Sequence, residues 1–155
     1  MKYTVSLENF DALMQELLEL PERANASIAR TLNFVAQSTA QRAKGKIRSG
    51  RKSGHVYYFD GVRHQASAPG EAPANLSGSL AASITFTKIT DNIQSGATAG
   101  SDLSYAATLE FGGYTTFRGR NVYVEPRPFL LPSFEEAIQQ ADIVLKREFE
   151  RGKNG

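Results

Sequence analysis

The stretch "PERANASIARTLNFVAQSTAQRAKGKIR", residues 21–48, decides the architecture of this chain. Its apolar residues recur three and four positions apart, which places them on one face of a helix. They are Ile28, Leu32, Val35, Ala36, Ala43 and Ile47. Pro21 suits the first turn of such a helix, and Ser49-Gly50 ends it. Because the apolar face is rich in alanine, we expect a neighbouring element to pack closely against it.

A second long helix is predicted near the other end of the chain, at about 133–151. Glu135 in its first turn and Arg151 near its last complement the helix dipole. Its buried stripe is predicted to be Phe134, Ile138, Ala141, Leu145 and Phe149. A shorter amphipathic helix is predicted around Phe10, Leu13, Met14 and Leu17.

Strands are predicted between the long helices and at the N-terminal end. "SITFTKITDNIQSGATAG" (83–100) has the alternation of a β-hairpin with its turn at Asp91-Asn92, while "KYTVS" (2–6) and "NVYVE" (121–125) have strand composition. Strands and helices do not alternate regularly. We therefore expect an α+β fold, a small and mainly antiparallel sheet packed by two long helices. At 155 residues the chain is most simply one domain, 1–155.

Composition excludes several classes of function. The chain has no cysteine, which excludes disulfides, thiolate catalysis and cysteine-based metal sites. The N-terminus lacks the apolar core of a signal peptide, and no run approaches the roughly 18 apolar residues of a membrane helix. We expect a soluble protein made in the cytosol, without membrane contact.

Residues 49–76 lack helical periodicity and are predicted to form an extended loop arm. "HVYYF" (55–59) has strand composition, a turn is expected at Asp60-Gly61, and the prolines favour extended backbone. The arm either binds along a neighbouring subunit or packs on its own domain. In the first case its partner-binding residues are Tyr57, Tyr58, Phe59, His64, Pro69 and Pro73, with the aromatic residues as anchors.

The arm also contains residue types found in catalytic triads. They are His64, Ser67, Ser77, Ser79 and Glu71. No serine lies in a G-x-S-x-G turn, and a proline-stiffened segment spreads its side chains apart instead of bringing them together. The histidines, His55 and His64, lack the spacing of metal ligands. We therefore expect no enzyme, no metal and no cofactor.

The stretch 42–52 carries six basic residues and no acid. These residues are Arg42, Lys44, Lys46, Arg48, Arg51 and Lys52. They are expected to be a solvated helix end, where basic side chains are favoured by the helix dipole. The alternative is a weak nucleic-acid site, which would make the chain a small nucleic-acid-binding protein.

Two further features concern the C-terminal half. In "RPFLLP" (127–132), Phe129 and Leu130, followed by Phe134, are predicted to anchor the core between sheet and last helix. Glu110 is the one charge in "YAATLEFGG" (105–113). A buried carboxylate would need a partner, and we expect Glu110 to face solvent.

Two segments together resemble a known family. "HQASAPGEAPANLSGSLAASI" (64–84) and "YAATLEFGG" followed by "RPFLLPSFEEA" (105–137) are similar to segments of the HK-ninety-seven-like gene-product-ten family of phage tail components. The leading helical region also suits this family, so the resemblance covers nearly the whole chain. Asn75-Leu76 departs from the family pattern, and 112–126 is longer than in many members.

The resemblance implies a function that the residue patterns alone do not give. It implies a non-enzymatic structural subunit of the phage neck or tail-completion region, with an α+β fold. Such subunits assemble as rings, with six-fold order common among tail rings, between the head connector and the tail tube or tail terminator. DNA then passes through the ring without specific binding. The implied location is the virion neck or tail, and the host bacterial cytoplasm before assembly.

Overall fold

The computed structural model describes residues 2–5, 21–49, 52–90, 95–117 and 119–151. It has the predicted α+β fold, with helices packed on a small antiparallel sheet. In chain order its elements are β1 Lys2–Val5, α1 Pro21–Arg48, β2 Val56–Phe59, β3 Val62–Gln65, α2 Ser79–Ser83, β4 Ile84–Thr90, β5 Ser95–Ser101, α3 Ala106–Phe111, β6 Gly113–Phe117, β7 Arg120–Val124, α4 Leu131–Ile138 and α5 Ala141–Arg151.

Helix α1 is the central element, as the apolar periodicity predicts. The residues of its predicted apolar face are all at most 5% exposed. Two threonines are also buried on α1, and each donates its hydroxyl to the carbonyl four residues earlier: Thr31 to Ser27 and Thr39 to Val35, both at 2.8 Å. These bonds satisfy the buried hydroxyls without leaving the helix.

The main sheet has three strands in the order β1-β5-β4, and both pairings are antiparallel. The predicted hairpin is confirmed over β4 and β5, whereas its turn at Asp91-Asn92 lies outside the described residues. Ile84, Ala97 and Ala99 are buried and join the core cluster that α1 contributes. The small side chains on β5 let α1 pack closely against the sheet.

The predicted C-terminal helix is two helices instead of one. Helix α4 begins at Leu131, two residues earlier than expected, and a turn at Gln139-Gln140 separates it from α5. No glycine or proline marks this turn, so local propensity does not predict it. Both helices pack on α1, and Ala137 and Ala141 on either side of the turn are fully buried. Tertiary packing therefore decides the break.

Two hairpins form separate two-stranded sheets. β2 pairs with β3 inside the predicted arm, through the expected turn, where Asp60 and Gly61 have φ of 50° and 77°. β6 pairs with β7 after α3, which ends at Gly112. The arm is therefore a hairpin followed by segment 66–73, which we call the strap. The strap is not extended throughout as expected, because it turns at Pro69-Gly70, where the Glu71 N–H donates to the Ala68 carbonyl at 3.1 Å. The amphipathic helix predicted around Phe10 and Leu17 lies outside the described residues.

Candidate functional site: two hairpins on one joint

The strap packs on its own domain. Ser67 and Pro73 are buried, and Ala72 packs against the core cluster. Gly70 adopts a φ of +81° and donates its N–H to the carbonyl of Pro126 at 2.8 Å. Assignment of Pro73 to a partner contact is therefore wrong, because its ring is covered within the chain. Pro69 is exposed and stays a candidate.

Glu71 fixes the base of the β2–β3 hairpin. Its carboxylate accepts hydrogen bonds from the Ser53 N–H at 3.0 Å, the Ser53 hydroxyl at 2.6 Å and the Ala68 N–H at 2.8 Å. The Ser53 hydroxyl bond, followed by the two backbone bonds, lowers the pKa of Glu71 to about 2. Glu71 therefore stays ionised and holds together the two chain segments that leave the hairpin.

Two neighbouring contacts tighten the same base. The Lys52 ammonium donates to the carbonyls of Lys46 at 3.1 Å and Ala72 at 2.7 Å, joining the end of α1 to the strap. Gly54 lies so close to the strap that a Cβ there would be 2.6 Å from the Ser67 carbonyl oxygen. This separation is shorter than van der Waals contact, so the approach requires glycine.

Arg127 joins the second hairpin to the strap. Its guanidinium donates to the carbonyls of Glu125 at 2.8 Å and Ser67 at 3.3 Å, and its backbone N–H donates to Leu109 at 2.6 Å. The bases of both hairpins therefore meet in one hydrogen-bonded region, residues 66–72, 109–110 and 125–127. We call this region the hairpin joint.

Glu110 is buried, contrary to the expectation that it faces solvent. It is 3% exposed, and its carboxylate accepts the N–H groups of Phe129 at 2.8 Å, Leu130 at 3.0 Å and Leu131 at 2.8 Å. These N–H groups lead into α4, so the carboxylate satisfies donors that lack helical partners at the positive end of the helix dipole. Local sequence could not reveal this partner, which lies about twenty positions further along the chain.

The predicted core anchors lie in the interior. Phe129 and Leu130 are 0% exposed, while Phe134 is partly buried and packs against the core cluster. Glu110 therefore holds the backbone of the same two residues whose side chains fill the core.

The β2–β3 hairpin is the exposed part of the predicted arm, and none of its strand residues is buried. Tyr58 is 73% exposed and Phe59 51% exposed. Tyr57 and His64, which pair across the strands, stack with ring centroids 5.9 Å apart, and Phe59 contacts His64 edge-on at 6.4 Å. Tyr57, Phe59 and His64 therefore share one face, and Tyr58 lies on the other.

The β6–β7 hairpin is a second aromatic surface, and its residues are not among the predicted partner contacts. Tyr114 is 78% and Tyr123 50% exposed, and their rings meet edge-on with centroids 5.2 Å apart. On the same face, the Thr116 hydroxyl donates to the Asn121 side-chain oxygen at 3.2 Å. The alternation in "YTTF" and "NVYV" on either side of Arg118-Gly119 is the sequence signal that predicts this hairpin.

The basic stretch 42–52 is largely engaged within the chain. Arg42 and Lys46 form ion pairs with Glu136 at 3.2 and 2.6 Å, and the Lys46 hydrogen bond lowers the pKa of Glu136. Lys52 binds carbonyls, Arg51 lies outside the described residues, and Lys44 and Arg48 stay partly or fully exposed. The stretch is therefore not one continuous cationic surface.

The residues that resemble a catalytic triad are held by different partners. His64 packs against Tyr57 on the hairpin, whereas Ser67 is buried in the strap. The hydroxyl of Ser77 bonds that of Ser79 at 2.9 Å. Glu71 binds Ser53 and Ala68. This arrangement offers no nucleophile positioned by a base. Among the described residues, no group of three or more His, Asp or Glu side chains is placed to hold a metal.

A crevice of about 380 Å³ lies between the strap, the end of α1 and the start of α4. Its charged residues are Lys46, Lys52 and Glu71, and each is already bound by another group of the chain. We therefore interpret the crevice as part of the strap's packing.

None of the helices in the described ranges is long and apolar enough to span a bilayer. Comparison of the chain with protein-family models, with curated proteins and with solved structures gave no match. The resemblance to phage tail components therefore depends on the residues of segments 64–84 and 105–137.

Proposed function

We propose that this chain is a structural subunit of the head–tail junction of a long-tailed phage or prophage. It acts in the neck or in tail completion, and it assembles as a ring during virion morphogenesis. Its partners are further copies of itself, the head connector, and the tail-tube or tail-terminator protein. It resides in the host bacterial cytoplasm before assembly and in the virion neck or tail afterwards.

The observation that carries this proposal is the hairpin joint. Segment 64–84 supplies the strap residues Ser67 and Gly70, and segment 105–137 supplies their hydrogen-bond partners Arg127 and Pro126. The two segments on which the resemblance depends thus contact one another and hold two exposed aromatic hairpins. A subunit whose role is to contact neighbours needs such a rigid base with apolar side chains presented outward.

The same geometry favours an assembly role over catalysis. The polar residues of the strap form hydrogen bonds that stabilise the chain's own backbone, and the hairpins expose four aromatic side chains, those of Tyr58, Phe59, Tyr114 and Tyr123. Aromatic side chains contribute strongly to the energy of protein interfaces. We therefore assign Tyr57, Tyr58, Phe59 and His64 to partner contact, together with Tyr114 and Tyr123.

A nucleic-acid-binding role for the stretch 42–52 receives no support from the ion pairs of Arg42 and Lys46 with Glu136. A ring through which DNA passes also works best with walls that do not hold it. We expect the purified chain to leave the mobility of duplex DNA unchanged at low salt. A shift that weakens steeply with added salt would favour the nucleic-acid alternative instead.

Electron microscopy of particles made without this protein tests the proposal. We expect filled heads and separate tails that do not join, with joined virions restored when the intact chain is supplied from a plasmid. The matched variant carries Tyr58→Ala and Tyr114→Ala. Both side chains are exposed, so their loss should spare the fold. We expect this variant, supplied from the same plasmid, to restore fewer joined virions than the intact chain. Normal joined virions in the absence of the protein would contradict the proposal.

A further inference from the structure

Three arginines surround one glutamate where α5 packs against α1. The Glu148 carboxylate lies 3.3 Å from the guanidinium of Arg151, 3.7 Å from that of Arg147 and 3.8 Å from that of Arg30 on α1. Glu148 is 8% exposed, and a carboxylate so placed needs an opposite charge, which one arginine supplies. We call Arg30, Arg147 and Arg151 the arginine cluster. Three guanidiniums less one carboxylate leave it a net charge of +2.

The guanidiniums of the arginine cluster are open to further acceptors. The side chains of Arg30 and Arg147 are each 58% exposed, and that of Arg151 is 71% exposed. Within the described ranges, the only hydrogen bond that these guanidiniums form runs from Arg151 to Glu148. Each guanidinium has five N–H donors in a planar fork that matches a carboxylate. Most of these donors therefore remain available to another molecule.

The helix dipole explains only part of this arrangement. Arg151 is in the last turn of α5, where a positive charge is favoured. Arg30 lies far from the C-terminal end of α1 at Arg48, and the dipole acts mainly within the last turn. The dipole therefore does not account for the approach of Arg30 to the two arginines of α5.

The distribution of charge along α1 favours a protein ligand over a nucleic acid. Duplex DNA carries a negative charge about every 1.7 Å of its axis, so a surface that follows it needs cations along its length. The exposed residues that follow Arg30 on the same side of α1 are the uncharged Gln37 and Gln41. The next cation, Lys44, is about 21 Å along the helix, at about 1.5 Å per residue. The compact arginine cluster instead fits carboxylates that lie close together, such as acidic side chains one helical turn apart.

The described surface of the chain itself has no matching group of acids. Asp142 and Glu150, exposed on α5, each lie one helical turn from Lys146, which is placed to balance them. In the described ranges, no three Asp, Glu or His side chains lie close enough together to share a metal ion. A different protein is therefore favoured over a second copy as the ligand.

We propose that the arginine cluster is a docking site for an acidic surface of a different protein, which presents two or more carboxylates to Arg30, Arg147 and Arg151. The inference rests on the proposed assembly role, and it names the chemistry of a partner surface that the aromatic hairpins do not contact. Each carboxylate accepts two N–H bonds from one guanidinium and forms a bidentate pair. Because salt screens exposed ion pairs, the contact weakens as ionic strength rises.

Fluorescence anisotropy of a labelled acidic peptide, with the full chain at low salt, tests the site. The probe is a helical peptide with pairs of glutamates one turn apart, and the same peptide with glutamines is the reference. We expect tighter binding of the glutamate peptide. Arg147→Gln with Arg151→Gln should lower its association constant about 2- to 30-fold, the loss expected for two exposed ion pairs.

The matched control is Arg48→Gln with Lys88→Gln. It removes the same net charge at two exposed positions outside the arginine cluster and the hairpins, and we expect it to leave peptide binding nearly unchanged. Arg30→Gln, on the other helix, repeats the test if the double variant of α5 does not fold, and it should weaken binding in the same direction.

Particle joining is the second measurement. Supplied from a plasmid to phage that lack the protein, the Arg147→Gln, Arg151→Gln chain should restore fewer joined virions than the Arg48→Gln, Lys88→Gln chain. The inference requires both losses, with circular dichroism unchanged. Equal peptide binding by the two double variants, or equal joining, would overturn it. A shift of duplex DNA that disappears with Arg147 and Arg151 would reassign the site to nucleic acid. A continued need for the intact chain in joining would then leave the head–tail role in place.

Discussion

Replacement of Glu110 tests whether one buried carboxylate organises the core. Its oxygens accept three backbone N–H groups, of which those of Phe129 and Leu130 are buried. Glu110→Ala leaves these donors without a partner, and each unsatisfied buried group costs about 1–3 kcal/mol. With two buried donors, we expect the free energy of unfolding to fall by about 2–6 kcal/mol, a large part of the roughly 5–15 kcal/mol typical of a domain.

Urea unfolding followed by far-ultraviolet circular dichroism measures this change. Because Glu110→Ala removes so much stability, Glu110→Gln provides a milder test. Its amide keeps one acceptor oxygen but presents an NH₂ group to at least one of the same donors, so we expect an intermediate loss. Glu135→Ala, at an exposed position on α4, is the matched control and should change stability by less than about 0.5 kcal/mol.

The reasoning is refuted if Glu110→Ala loses less than about 1 kcal/mol, or no more than the Glu135→Ala control. Such a result would mean that water satisfies the N–H groups at the start of α4. The buried carboxylate would then be dispensable for the packing of Phe129 and Leu130.

Three further predictions concern the core, the arm and pH. Phe129→Ala should lower the free energy of unfolding by about 3–5 kcal/mol in the same urea assay, and an unchanged melting temperature with failed assembly would reassign Phe129 to a partner contact. Limited proteolysis of the free chain should cut within 50–65 before it cuts the strap, and assembly should suppress this cleavage; equal resistance in both states counts against an assembly arm. Because the folded-state pKa of Glu71 is lowered from 4.5 to about 2, its contribution is fully present above pH 4.5 and is lost as pH falls toward 2. Amide exchange at Ser53 should follow that loss, and Glu71→Gln should abolish the pH dependence; an unaltered profile in that variant would exclude Glu71 as its source.

Much of the local structure could be predicted from sequence, because its causes lie within a few residues. The three- and four-residue spacing of apolar side chains places α1 and its buried face. Alternation predicts β4 and β5, and the Asp60-Gly61 pair predicts the turn between β2 and β3. These patterns, with helical periodicity before and after the hairpin, are sufficient for the α+β class.

The candidate site could be predicted only in part. The exposed aromatic residues of β2 are recognisable from their composition and from the turn that follows them. The hairpin β6–β7 has strand composition on both sides of its turn, but only β7 is among the strands predicted from sequence, through "NVYVE" (121–125). The partners of Glu71 and Arg127 could not be inferred from local sequence, because Ser53 lies 18 positions before Glu71 and Ser67 lies 60 positions before Arg127.

The sequence by itself therefore determined helix α1, the hairpin β4–β5 and the turn between β2 and β3, and it carries the two motif segments that suggest a phage assembly role. Only the tertiary structure decided that Glu110 and Pro73 are buried, that the last helix breaks at 139–140, and that Glu136 forms ion pairs with both Arg42 and Lys46. The reason is physical. A side chain's charge and shape are local properties, whereas its burial and its partners depend on how distant segments pack, as for Lys46 and Glu136, which lie 90 residues apart.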